Sequence, residues 1–172
     1  MLNINTMGAW NYRPSERICT LGYKNEGYYP SDDEVNDFRA WHDYLDDEDL
    51  TYDNIVNLLI DEEYEIAKEC YKDVKFLIDE ENFTYYDVFL EQGYYDGFYI
   101  NIDIHQYPKG YSQKLEMQKE LTKIKNILTQ SINDHLMVVC VPHWCTTWYN
   151  QKESLDIVNN NIKKERELIK TL

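Results

Sequence analysis

The sequence predicts an α+β protein: a small mixed sheet with a C-terminal strand–helix–strand–helix unit, and an acidic helical N-terminal half packed on it. Three observations carry this. Phe98, Ile100, Ile102 and Ile104 alternate with Tyr99, Asn101, Asp103 and His105, the two-residue period of a strand. Val35, Phe38, Trp41/His42 and Leu45, and then Ile55, Leu58/Leu59, Ile66, Cys70, Val74 and Leu77, recur at helical spacing. Charge also divides the chain. Glu26 to Asp96 holds 23 acidic and 4 basic side chains, a net −19, whereas Asn101 to Leu172 holds 8 acidic and 10 basic, a net +2.

The elements follow in order. Leu2–Thr6 alternates apolar and polar residues as a short strand, Gly8–Ser15 with Pro14 reads as a loop, and Arg17–Tyr23 is a second strand. Ser31-Asp-Asp-Glu34 is a capping box, with Asp32 and Asp33 placed at the positive end of the helix dipole. Asp46–Asp49 ends that helix, and Asp49 or Thr51 caps the next. One or two helices fill Tyr52–Ile78, with a break expected at Asp61-Glu62-Glu63. Thr84-Tyr-Tyr-Asp87 reads as an N-cap opening a short helix that Gly93 closes.

After the strand from Phe98, Pro108 and Gly110 turn the chain. Ser112 precedes a helix with Leu115, Met117, Leu121, Ile124, Leu128 and Ile132 on one face. Leu136–Val141 is a continuous apolar run, as in a strand covered on both faces, and Pro142 ends it. The last helix starts near Gln151, with Leu155, Val158, Ile162 and Ile169 inward and Lys163, Lys164 and Arg166 outward. Short connections in strand–helix–strand make the two C-terminal strands parallel neighbours. The 172 residues form a single domain, with an acidic helical subregion over 31–92 and the strand–helix unit over 93–172.

Composition narrows the function. A net charge of −15 disfavours direct contact with nucleic acid or anionic membranes and favours basic partners. No apolar stretch is long enough to span a bilayer. Met1–Trp10 lacks the pattern of a signal peptide, so Cys19, Cys70, Cys140 and Cys145 are expected as reduced thiols of a cytosolic protein. There is no phosphate-cradling glycine loop and no nucleophile elbow, and no cofactor is expected. Cys140, His143 and Cys145 have metal-ligating chemistry, but a structural zinc site needs a fourth ligand, from His105, His42 or Cys19. Asp96, Asp103, His105 and His143 define an alternative, a small enzyme acting on nucleotides or phosphoesters.

The strongest pattern is acidic and aromatic. Asp43, Asp46, Asp47, Glu48, Asp49, Asp53, Asp61, Glu62, Glu63 and Glu65 lie close in sequence, interleaved with Tyr44 and Tyr52. Carboxylates three or four residues apart on a helix stand about 5–6 Å apart, a spacing on the scale of nucleic-acid phosphates. Such a surface fits a Lys/Arg-lined groove, with the tyrosines as anchors.

Three stretches carry a resemblance: Gly97-Phe-Tyr-Ile-Asn-Ile, Ile124-Lys-Asn-Ile-Leu and Pro142-His-Trp-Cys-Thr-Thr. Over Gly93–Ile169 the chain resembles a group of small acidic proteins encoded by bacteriophages of Gram-positive hosts. These have a similar glycine–aromatic strand, an Ile-Lys helix and a Pro-Gly-Trp-Cys-Thr-Gly loop. The chain has His143 and Thr147 where the group has glycine, so loop geometry that needs those glycines does not carry over. The group has no assigned activity and transfers no functional residues. The resemblance implies a phage product acting in the cytoplasm of a bacterial host, a context that includes inhibitors of CRISPR and restriction nucleases. The leading expectation is therefore an inhibitor of a basic, nucleic-acid-binding host defence protein, a nuclease or its complex. Besides the enzyme, a phage structural or scaffold protein is the other alternative.

Overall fold

The computed structural model describes residues 17–93, 97–140 and 147–172. Among these, the elements run β1 (Thr20–Tyr23), α1 (Asp32–Trp41), α2 (Tyr52–Asp79), β2 (Tyr86–Gln92), β3 (Phe98–Ile104), α3 (Tyr111–Ser131), β4 (Leu136–Cys140), β5 (Thr147–Trp148) and α4 (Gln151–Thr171). The fold is α+β. The expected strand at Leu2–Thr6, the loop after it and the end of the strand at Val141 lie outside the described residues.

The strands form one sheet in the order β2-β3-β1-β4-β5. Every pairing is antiparallel, so the sheet is not mixed. β3 and β4 are not neighbours either. They point the same way, but β1 lies between them, pairing Leu21 with Ile100 on one side and with Val138 on the other. The reason is burial: all four β1 residues are buried, and only a central position covers both edges of so short a strand. The strand–helix–strand unit is thus split by a strand that precedes it in sequence.

One face of the sheet carries the main core. Leu21, Tyr23, Val88, Phe98, Ile100, Ile102 and Val138 pack against Ala67, Cys70 and Val74 of α2, Met117, Leu121, Ile124 and Leu128 of α3, and Val158, Ile162 and Ile169 of α4. A separate small core joins α1 to the first half of α2 through Val35, Ile55 and Val56, with Phe38, Leu50, Leu59 and Ile60 around them. α2 therefore serves two cores. At 1.5 Å per residue it is about 42 Å long, and it holds α1 with one half and the sheet with the other.

The helix runs unbroken through Asp61-Glu62-Glu63, against the expectation of a break. Glu63 lies on the inward stripe with Ala67, Cys70 and Val74, but its carboxylate is satisfied there. It accepts from the Tyr23 hydroxyl and from Asn25 Nδ2 at 2.9 Å, while Asp61 and Glu62 face solvent. Ser31 and Glu34 form the capping box of α1, which holds the Glu34 carboxyl below the usual range, chiefly through the Ser31 backbone N–H. Thr51 caps α2, and Asn150 with Glu153 forms a further capping box on α4.

Three expectations about element ends need correction. α1 ends at Trp41, ahead of the acidic run Asp46–Asp49 expected to end it, because the His42 N–H closes it on the Phe38 carbonyl. Thr84-Tyr-Tyr-Asp87 opens a strand, not a helix: Tyr86, Val88 and Leu90 face the core, and Asp87, Phe89 and Glu91 face away. The amides of Thr84, Tyr85 and Tyr86 are taken instead by the distant Glu120 carboxylate. α3 begins at Tyr111 with Gly110 as its cap residue, one position before Ser112, and Leu115 is exposed.

The second sheet face, that of Tyr99 and Asn101, is buried near its centre, where Tyr99 and Val139 pack with Trp148 beside polar pairs. Thr20 Oγ1 donates to Asn101 Oδ1 at 3.1 Å, and Asn101 Nδ2 donates to Glu91 Oε2 at 2.7 Å. Tyr99 bonds Glu26 and lies over Gly22, where a Cβ would meet the ring at 2.8 Å and the Trp148 ring at 3.0 Å. Glycine is required there by that close approach. Asp103 and His105 remain exposed.

Cys19, Cys70 and Cys140 are free thiols. Burial pushes the Cys19 thiol up to about 12 and is the main cause raising Cys70. Since the thiolate is the reactive form, brief iodoacetamide treatment of the native protein at pH 8 is expected to leave Cys19 unmodified. Prior denaturation should expose it, and native labelling by mass mapping would contradict its burial.

Candidate functional site: the acidic helical pair

The acidic residues cluster because the chain reverses between two capped helices. α1 ends at Trp41, and His42 closes it: its ring stacks on Phe38 with centroids 4.0 Å apart, and its Nδ1 lies 2.8 Å from the Phe38 carbonyl. The turn then winds through Asp46–Leu50 on local backbone hydrogen bonds, and Asn54 Nδ2 holds the Glu48 carbonyl at 2.9 Å. With the backbone so occupied, the side chains of Asp43, Tyr44, Asp46, Asp47, Glu48, Asp49, Tyr52 and Asp53 all stand in solvent. Tyr52 donates to Asp32 at 2.9 Å, and this bond raises its phenol above the usual range.

Asp61, Glu62 and Glu65 form a second patch further along α2. Asp53 to Asp61 is about 12 Å along the axis, and neutral Asn54, Asn57 and Leu58 intervene. The expected surface is therefore two patches on one helical pair. Glu63 belongs to neither, since it faces Tyr23 and Asn25, and Glu65 is paired with Lys68 at 2.8 Å.

Electrostatically, the site is defined by where its few cations go. Arg39 Nε donates to the Leu50 carbonyl at 3.1 Å, and Lys68, Lys72 and Lys75 pair with Glu65, Glu69 and Asp79 on the other half of α2. Among the described residues none of Asp43, Asp46, Asp47, Glu48, Asp49, Asp53, Asp61 and Glu62 has a cationic partner. Trp41 stands beside them 81% exposed and Tyr44 75% exposed. Helical spacing alone placed Trp41 on the inner face. The helix ends there, so the ring faces solvent.

The residues of the enzyme alternative are only partly described, because Asp96 and His143 lie outside the described residues. Asp103 stands directly opposite Asp87 across β3 and β2, and His105 Nδ1 lies 3.2 Å from Asp87 Oδ2 at the surface. Burial, and next Asp103, raise the Glu91 carboxyl. Among the described residues no group of three His, Cys, Asp or Glu side chains is placed to hold a metal ion. Cys140-x-x-His-x-Cys145 falls mostly outside them. No helix among them is long and apolar enough to cross a membrane. Comparison with family models, with curated proteins and with solved structures found no match to this chain.

Proposed function

We propose that this protein inhibits a basic, nucleic-acid-binding defence protein in the cytoplasm of a bacterial host, by laying its acidic helical pair in the groove that nucleic acid occupies. The observation that supports this reading is the row of carboxylates without counter-charge beside exposed Trp41 and Tyr44. A solvated face that served only solubility would not need a tryptophan in it. Exposed carboxylates steer association, and aromatic anchors supply the affinity.

The test is a competition assay between the protein and labelled nucleic acid for the partner recovered by pull-down from host lysate. Binding is expected to fall steeply as salt rises. Reversing Asp46, Asp47, Glu48 and Asp49 to Lys should abolish competition with an unchanged circular dichroism spectrum, since exposed changes cost little stability. Trp41→Ala should weaken binding roughly 30-fold, the scale of an interface hot spot. Asp103→Ala and His105→Ala should leave competition intact. Unchanged competition after the fourfold reversal would sink the proposal.

A further inference from the structure

Among the described residues two glutamates are buried in the core, and they differ in their partners. Glu120 accepts three backbone N–H groups, from Thr84, Tyr85 and Tyr86. Its role is complete within the fold. Glu165 is 2% exposed and stands on the inner stripe of α4 with Val158, Ile162 and Ile169. Among the described residues its Oε1 accepts a hydrogen bond from the Tyr86 hydroxyl at 2.9 Å, and its Oε2 forms an ion pair with Arg17 Nε at 3.6 Å, a separation longer than a hydrogen bond. A carboxylate offers about four acceptor positions, so Glu165 can take further donors beside Tyr86 and Arg17.

Glu165 and Arg17 together line a cleft of about 230 Å³. The cleft exists because β1 and β3 pair only at Leu21–Ile100 and Gly22–Tyr99, so the chains part towards Arg17 and Ile104. Its walls include Ile18, Ile102 and Ile104, with exposed Asp103 and Tyr107 among its lining. Two carboxylates face one guanidinium, so the lining carries a net negative charge within an acidic protein.

We infer that this cleft is a binding site for a small organic cation, an ammonium or guanidinium head on a short apolar arm. The head bonds Glu165 and lies near Asp103, and the arm packs on the isoleucines. Tyr107 supplies an aromatic face of the kind that attracts cations. The inference is independent of the acidic helical pair.

The experiment is an amide NMR titration of the full chain at fixed pH and ionic strength, using n-butylammonium, with pentanoate and 1-pentanol as anionic and neutral probes. n-Butylammonium should shift the Ile18, Ile102 and Ile104 amides saturably, with a Kd on the order of 1–10 mM for so small a ligand. It should bind at least tenfold more tightly than pentanoate. Glu165→Gln should weaken it roughly tenfold. Asp103→Asn, an exposed change that leaves the fold intact, should weaken it about two- to threefold. No saturable shift means the cleft holds only water and overturns the proposal. So does equal or tighter binding of pentanoate or 1-pentanol, or unchanged affinity in Glu165→Gln. If Glu165→Gln does not fold, Asp103→Asn decides, and unchanged affinity there overturns the proposal.

Discussion

Ile100→Asp is expected to unfold the protein or to cost more than about 5 kcal/mol, the range reserved for an uncompensated charge in a core. Ile100 is fully buried on β3, where it pairs with Leu21 on one side and Leu90 on the other. No described cation lines that part of the core. Net stabilities run to about 5–15 kcal/mol, so the change consumes most or all of it. The measurement is urea denaturation followed by far-UV circular dichroism. Ile102→Asp, two residues along, should be milder, because Ile102 shares the cleft with Arg17 and water can enter there. A folded Ile100→Asp protein losing less than about 2 kcal/mol would mean that this face is not the core.

Local signals were legible in the sequence, and long-range ones were not. The alternation over Phe98–Ile104, the apolar run from Leu136, the Ser31–Glu34 box and the stripe of the last helix each depend on residues a few positions apart. Two of the differences share one cause, a partner distant in sequence. Asp61-Glu62-Glu63 looked like a break because an acid on a buried stripe is costly, but Tyr23 and Asn25 satisfy Glu63 from about forty positions away. β1 separates β3 from β4, and nothing local announces that. The strand β2 was legible locally. Tyr86, Val88 and Leu90 alternate with Asp87, Phe89 and Glu91 and already argued for a strand. In α4 the step from Ile162 to Ile169 spans two turns, so helical spacing required an inward residue between them, and Glu165 is that residue.

The acidic cluster was legible as composition, but its arrangement was not. Which carboxylates lack a counter-charge depends on where Arg39, Lys68, Lys72 and Lys75 reach. Trp41 was hidden for a related reason. Spacing assigns a helical face but does not say where the partner surface stops, and here α1 outruns its small core by one turn.

Glu120→Leu is expected to cost about 2–6 kcal/mol. β2 is an edge strand, and the chain entering it presents three successive N–H groups, those of Thr84, Tyr85 and Tyr86. Successive amides of this kind form a concave nest for an anion. Glu120, on the buried face of α3, fills it, with Oε2 at 2.9 Å from the Tyr85 nitrogen and 3.3 Å from that of Tyr86. Leucine keeps the bulk and removes the acceptor. Thr84 is exposed and can turn to water, but Tyr85 and Tyr86 are buried, and each orphaned donor costs about 1–3 kcal/mol. Glu120→Gln retains one carbonyl acceptor and should cost less than the leucine variant, since hydrogen bonds to a charged acceptor are the stronger kind. Urea denaturation gives the loss, and hydrogen exchange locates it: the Tyr85 and Tyr86 amides should lose protection before the centre of β3 does. A leucine variant as stable as the parent, with those amides still protected, would show that the nest closes without its carboxylate.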